Sequence, residues 1–184
     1  EHAKVNYDSE TEILVTHGAI HAYYAGLQAI LNPDDEVIVP DPSWQTHANM
    51  IRVLHCKPIR VNGLPEDKFL PTIDAWKNAI SDKTKAIVIN TPCNPTGSVA
   101  GRDYLQKLVN LAIEHDLYII SDEVYDNLLY GVEHVSVASL PGAKERTLLV
   151  NSMSKTYAMT GWRIGYLCAT EEIINNALKA SQHS

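Results

Sequence analysis

The chain has 184 residues, 45% of them hydrophobic and 20% charged, enough for one domain with a well-buried core. Its formal net charge of -7, with the charges scattered, argues against nucleic acid as a partner, which calls for a clustered basic face. No apolar run reaches the ~18 residues of a membrane span, and the first residues lack the charged-then-apolar pattern of a secretory signal.

Apolar runs alternate with helical patterns from end to end. Residues 13–16 read as a short strand, and 18–31 as a helix with Tyr23, Leu27, Ile30 and Leu31 on one side. Asn32-Pro33-Asp34-Asp35 stops that helix. Residues 36–40 form a strand, and Asp41-Pro42-Ser43 opens the next helix. A strand at 58–62 and a helix at 73–80 follow. Residues 85–91 are a continuous apolar run of the kind buried on both faces of a sheet. After a turn at 94–97, Leu105, Leu108, Val109 and Ala112 mark one face of a helix ending near His115. Strands at 117–120, 147–150 and 163–169 precede a last helix at 171–180. This alternation implies a mostly parallel sheet covered by helices on both faces.

In such a sheet, ligands bind beyond the carboxyl ends of the strands. Gly18, Asn94, Asp122, and Ser152 with Lys155 all follow strand ends, so four ends converge on one rim. Lys155 is flanked by hydroxyls, with Arg163 eight residues on. A lysine near other cations or out of water has a lowered pKa and forms Schiff bases. Asp122 ends an apolar strand, where a buried carboxylate needs a partner such as a protonated ring nitrogen; helix capping is the plainer alternative. Tyr125, on the same helical face, and Asn94 are placed to bond a phenolic ring oxygen, although Asn94 also fits ordinary turn chemistry.

An anion fits the start of the first helix, at Gly18, Ala19 and Ile20, where free backbone N–H groups and the dipole favour it. Ser152 and Ser154 add hydroxyls, and Arg163 adds a bidentate grip. Trp44 offers a flat face for stacking, whereas Trp76 and Trp162 read as core tryptophans. His17 and His21 lie at i, i+4, but no third metal ligand is evident. Cys56, Cys93 and Cys168 read as partly buried thiols, without zinc spacing or a disulfide framework, which suits a reducing cytoplasm.

Five segments in order, 15–22, 32–44, 90–97, 121–125 and 152–166, resemble the class I and II aminotransferases among the fold-type I pyridoxal-phosphate enzymes. The last, Ser-Met-Ser-Lys-Thr-Tyr-Ala-Met-Thr-Gly-Trp-Arg-Ile-Gly-Tyr, is highly specific. The resemblance implies a three-layer α/β/α sandwich around a mixed, mostly parallel sheet of about seven strands, with 163–169 antiparallel. It implies that pyridoxal 5'-phosphate is bonded by Lys155, which also moves the substrate proton. Asp122 would hold the pyridine nitrogen, Asn94 and Tyr125 the ring oxygen, and Trp44 the ring face. The backbone of Ala19 and Ile20, with Ser152, Ser154 and Arg163, would hold the phosphate. Ile20 departs from the pattern, because family members often carry a donor side chain there.

The substrates implied are an α-amino acid and a 2-oxo acid, in a cytoplasmic homodimer. Residues 1–184 would be the cofactor-binding large domain, without the N-terminal arm and C-terminal small domain of the family. Carbon–sulfur lyases and aminocyclopropane-carboxylate synthases share the scaffold and form one rival reading. A cofactor-sensing domain of a transcription regulator, without turnover, forms the other.

Overall fold

The computed structural model describes residues 5–182. Seven strands form one sheet: β1 (Ile13–Thr16), β2 (Glu36–Asp41), β3 (Lys57–Asn62), β4 (Thr84–Asn90), β5 (Tyr118–Asp122), β6 (Thr147–Ser152) and β7 (Gly165–Cys168). Their order is β1-β7-β6-β5-β4-β2-β3. The β2, β3, β4, β5 and β6 strands pair in parallel, and β7 runs antiparallel to both β6 and β1. The one reversed strand is therefore the segment expected to be so. It is shorter than 163–169 because Arg163 adopts φ 53°, a left-handed conformation that ends extended structure.

The helices are α1 (Ala19–Ile30), α2 (Gln45–Val53), α3 (Ile73–Asn78), α4 (Arg102–Glu114), α5 (Met153–Thr156) and α6 (Glu171–Ser181). Strand side chains alternate between two cores. Val37, Val39, Ala86, Val88, Ile120, Leu148 and Val150 pack beneath α1, α2 and α6. Ile38, Ile87, Ile89 and Ile119 pack beneath α3 and α4. Helices thus cover both faces, giving a three-layer α/β/α sandwich, and central strands read as unbroken apolar runs because neither face meets water.

Trp76 lies in the second core, as expected, whereas Trp162 is 71% exposed, contrary to its reading as a core residue. Cys56 and Cys168 are buried, Cys93 is half-buried, and all three are free thiols. Among the described residues, no helix is long and apolar enough to cross a membrane.

Candidate active site

β5 and β6 run on past the expected ends, to Asp122 and Ser152, so their last polar side chains sit on the rim of the sheet. The ten residues singled out from the sequence line one cavity of about 300 Å³ at this rim. Ala19 and Ile20 come from the first turn of α1, Trp44 from the N-cap of α2, and Asn94 from the loop after β4. Asp122 ends β5, Ser152 ends β6, and Ser154 and Lys155 lie in α5. Arg163 occupies the turn before β7. Tyr125 lies in a turn and not on a helix, so no helical face brings it alongside Asp122. Asn90, Val124 and Thr160 also contribute, and sequence reasoning did not single them out.

The Asp122 carboxylate is 4% exposed and has two partners. Oδ1 accepts from the backbone N–H of Val124 at 3.2 Å, closing a two-residue side-chain turn and not a helix cap. Oδ2 lies 2.8 Å from Nε2 of His47, a fully buried residue of α2. Nδ1 of His47 has no partner among the described residues, so the ring directs its hydrogen-bonding edge at Asp122 alone. Tyr23 donates to the His47 carbonyl at 3.4 Å, and its ring lies 4.9 Å from the imidazole. Burial, then the nearby Asp122, hold the Tyr23 phenol well above its ordinary pKa, so it remains a donor. His47 was missed because its partner lies 75 positions away. Its only local signal is the short spacing from Trp44.

The anion-binding end is built by close backbone approach. Gly18, at the N-cap of α1, has φ 81°, and any side chain there would collide with the Arg163 guanidinium. Gly165 abuts the Gly18 backbone, so a side chain there would collide as well. No side chain caps α1 and no acidic residue stands in its first turn, which leaves its N–H groups and dipole for an anion. Ser152 Oγ accepts the Ser154 N–H at 3.3 Å, and its own proton is free to donate. Arg163 uses Nη1 on the Thr160 carbonyl at 3.1 Å. Its remaining guanidinium donors make no hydrogen bond within the described residues.

Asn94, Trp44, Tyr125, Ser154 and Lys155 all line this cavity, and the Asn94 side-chain amide, the Trp44 ring N–H, the Tyr125 and Ser154 hydroxyls and the Lys155 amine make no hydrogen bond to any described residue. The Lys155 amine instead sits 5.5 Å from the centre of the Tyr125 ring. So many unmet polar groups around one space fit a ligand with matching partners. The set suits a phosphate at α1 and Arg163, a flat ring beside Trp44, a basic ring atom at Asp122, and an electrophilic carbon for the Lys155 amine. Among the described residues no three His, Cys, Asp or Glu side chains gather as a metal site. Among the described residues, the His21 ring accepts the His17 N–H at Nδ1, 3.3 Å away, and makes an edge-to-face contact with the His17 ring.

A second carboxylate–imidazole pair lies back to back with the first. Glu123 is 1% exposed and meets His134 Nε2 at 2.9 Å. It also accepts from Ser121, Ser136 and the Val137 N–H. Asp122, the last residue of β5, and Glu123, the first beyond it, thus send their acids into opposite layers.

The family model described as "Aminotransferase class I and II" matches residues 1–184. An aspartate aminotransferase of Pyrococcus abyssi is 42% identical over 98% of this chain and 46% of its own length. One from Bacillus subtilis is 44% identical over 95% of this chain and 45% of its own. Among solved structures, an aromatic aminotransferase from Pyrococcus horikoshii superposes with a TM-score of 0.97 at 40% identity, covering 100% of this chain and 50% of that one. Thermus thermophilus aspartate aminotransferase with maleate gives 0.92 at 44%, covering 96% and 46%. The chain spans about half the length of the curated relatives it matches. By sequence along its whole length, and by a fold that brings the matching residues to one rim, the chain belongs to the class I and II aminotransferase family.

Proposed function

We propose that this chain is the cofactor-binding large domain of a pyridoxal-phosphate-dependent aminotransferase, which moves an amino group between an α-amino acid and a 2-oxo acid. The observation that carries the reading is one amine, Lys155, sharing a cavity with the buried Asp122 carboxylate and the Gly18–Arg163 anion site. Pyridoxal phosphate supplies an aldehyde that condenses with amines and a ring that takes up electrons. Lys155 anchors it through Nζ and, once displaced by the substrate amine, takes the proton from the substrate α-carbon and gives it back.

Asp122, oriented by His47, keeps a proton on the ring nitrogen. Asn94 and Tyr125 donate to the ring oxygen, and Trp44 covers one ring face. The first-turn N–H groups at Ala19 and Ile20, with Ser152, Ser154 and Arg163, hold the phosphate. The Ile20 side chain brings no donor, so backbone and Arg163 carry more of the grip. The exposed apolar side chains of Val15, Ile20, Tyr157 and Trp162, close in sequence to the lining residues, suit contact with a second copy in a homodimer. The free thiols suit the cytoplasm.

The test is the visible absorbance of the full-length protein with pyridoxal phosphate. Wild type is expected to show a band that moves with pH, and Lys155→Ala is expected to lose it. An unchanged band in Lys155→Ala refutes the assignment. Formation of a new amino acid that depends on an added 2-oxo acid is the expected turnover; ammonia release without one would point to a lyase on the same scaffold.

A further inference from the structure

Tyr125 and Lys155 stand on separate stretches of backbone. One lies in the turn after β5 and the other in α5, a helix of four residues that is too short to fix its own orientation. Yet the amine lies 5.5 Å from the centre of the phenol ring. Among the described residues, every hydrogen bond between 124–131 and 151–158 runs through Asp126 and its neighbour Asn127. Asp126 Oδ2 accepts from Asn151 Nδ2 at 2.9 Å. Oδ1 accepts from Asn127 Nδ2 at 2.8 Å and from Thr156 Oγ1 at 3.4 Å. Asn127 Nδ2 also reaches Thr156 Oγ1 at 3.5 Å.

The orientation of Asn151 is settled locally. Its Oδ1 accepts the Ser152 N–H at 2.7 Å, which leaves its amide nitrogen for Asp126. One carboxylate therefore joins the turn that carries Tyr125, the end of β6, and the residue that follows Lys155. Asp126 does not line the cofactor cavity. It lines a second one of about 280 Å³ together with Glu123, Asn151 and Tyr166. Whatever it does for the chemistry, it does through its neighbours.

The geometry points to Asp126 as a positioning residue whose carboxylate sets the separation of the Tyr125 hydroxyl from the Lys155 amine. This rests on the pyridoxal-phosphate reading above. Small errors of placement at reacting groups lower rates steeply, and supporting hydrogen bonds are the usual means of preventing them. A carboxylate suits the role because it accepts several bonds at once, each stronger than a neutral one. If Tyr125 donates to the negative ring oxygen, loosening it disfavours that anion and raises the pH at which the lysine–cofactor linkage loses its proton.

The experiment is an absorbance titration of the full-length protein loaded with pyridoxal phosphate, with steady-state kinetics on the same samples. Asp126→Ala is expected to move the midpoint up by about half a pH unit or more and to lower kcat roughly tenfold, with KM for the amino donor changed less than about threefold. Asp126→Asn keeps one acceptor oxygen, enough for Asn151 but without the charge or the second acceptor, and is expected to restore part of both. Thr156→Val removes one hydroxyl and is expected to shift the midpoint in the same direction. A midpoint and kcat unchanged in Asp126→Ala overturn the inference, as does a shift that Asp126→Asn leaves uncorrected. Should Asp126→Ala fail to fold, an unchanged midpoint in Thr156→Val overturns it. A wild-type protein without a pH-dependent band overturns the cofactor reading itself, before any variant is compared.

Discussion

Asp122 and His47 show how a single pair shapes the site. The carboxylate sits where water hardly reaches, and Oδ2 has the imidazole as its partner. Replacing His47 by Leu leaves that oxygen buried and unmet, a loss of about 1–3 kcal/mol. Urea denaturation is expected to register it, together with weaker cofactor retention; equal stability and retention would mean that the imidazole is dispensable. The thiols differ in the same local way. Burial, then Glu123 and Glu12, push the Cys168 thiol up to about 12. Burial, then Asp35, also raises Cys56. Cys93 is the more accessible. Alkylation near pH 8, followed by mass spectrometry, is expected to modify Cys93 first and Cys168 only after unfolding.

At the scale of the element, α1 ties sequence to chemistry most directly. Its small residues, among them Ala22, Ala25 and Gly26, let it lie close on the sheet; a side chain at Gly26 would press on Leu148. Its first turn is shaped by His21, which accepts the His17 N–H. Burial, then His17, hold His21 below the usual imidazole value. The unfolded chain therefore takes up a proton that the folded one refuses, and stability falls as the pH drops below about 6.5 towards that lower value. His21→Gln keeps an acceptor without titrating. Its melting temperature is expected to fall less than wild type between pH 7 and 5.5, and parallel curves would remove His21 from the explanation.

The elements themselves were largely legible, because a sheet covered on both faces leaves unbroken apolar runs such as Ala86–Ile89. Their ends were less so. Asp122 and Ser152 look like loop residues by composition, but the strands continue through them to deliver polar groups to the rim. The Tyr125 turn was misread as helical because hydrogen bonds to Glu123 and Asp126, and not apolar periodicity, decide its shape.

For the whole molecule, the site belongs to no single element. The ends of β4, β5 and β6, the loop after β4, the starts of α1 and α2, the short α5, and the turn before β7 all contribute, and the two cores hold those parts in register. Pairings such as His47 with Asp122 join residues 75 positions apart and leave no local pattern, which is why the lysine segment was readable and the histidine was not. A ligand held by parts of so many elements stabilises all of them. At a hundredfold excess over its dissociation constant, pyridoxal phosphate is expected to add about 2.7 kcal/mol, or about 5–10 °C in melting temperature for a domain of this size. Inorganic phosphate, reaching only the α1 end, is expected to add less. A melting temperature indifferent to pyridoxal phosphate would argue against a preformed site.

The adjacent acids at the end of β5 make the chain far more sensitive to insertion or deletion than to substitution. Dropping one residue upstream in that strand would bring Glu123 to the side where Asp122 now meets His47 and set Val124 opposite His134. Changing a side chain there alters one bond, whereas losing a count exchanges two.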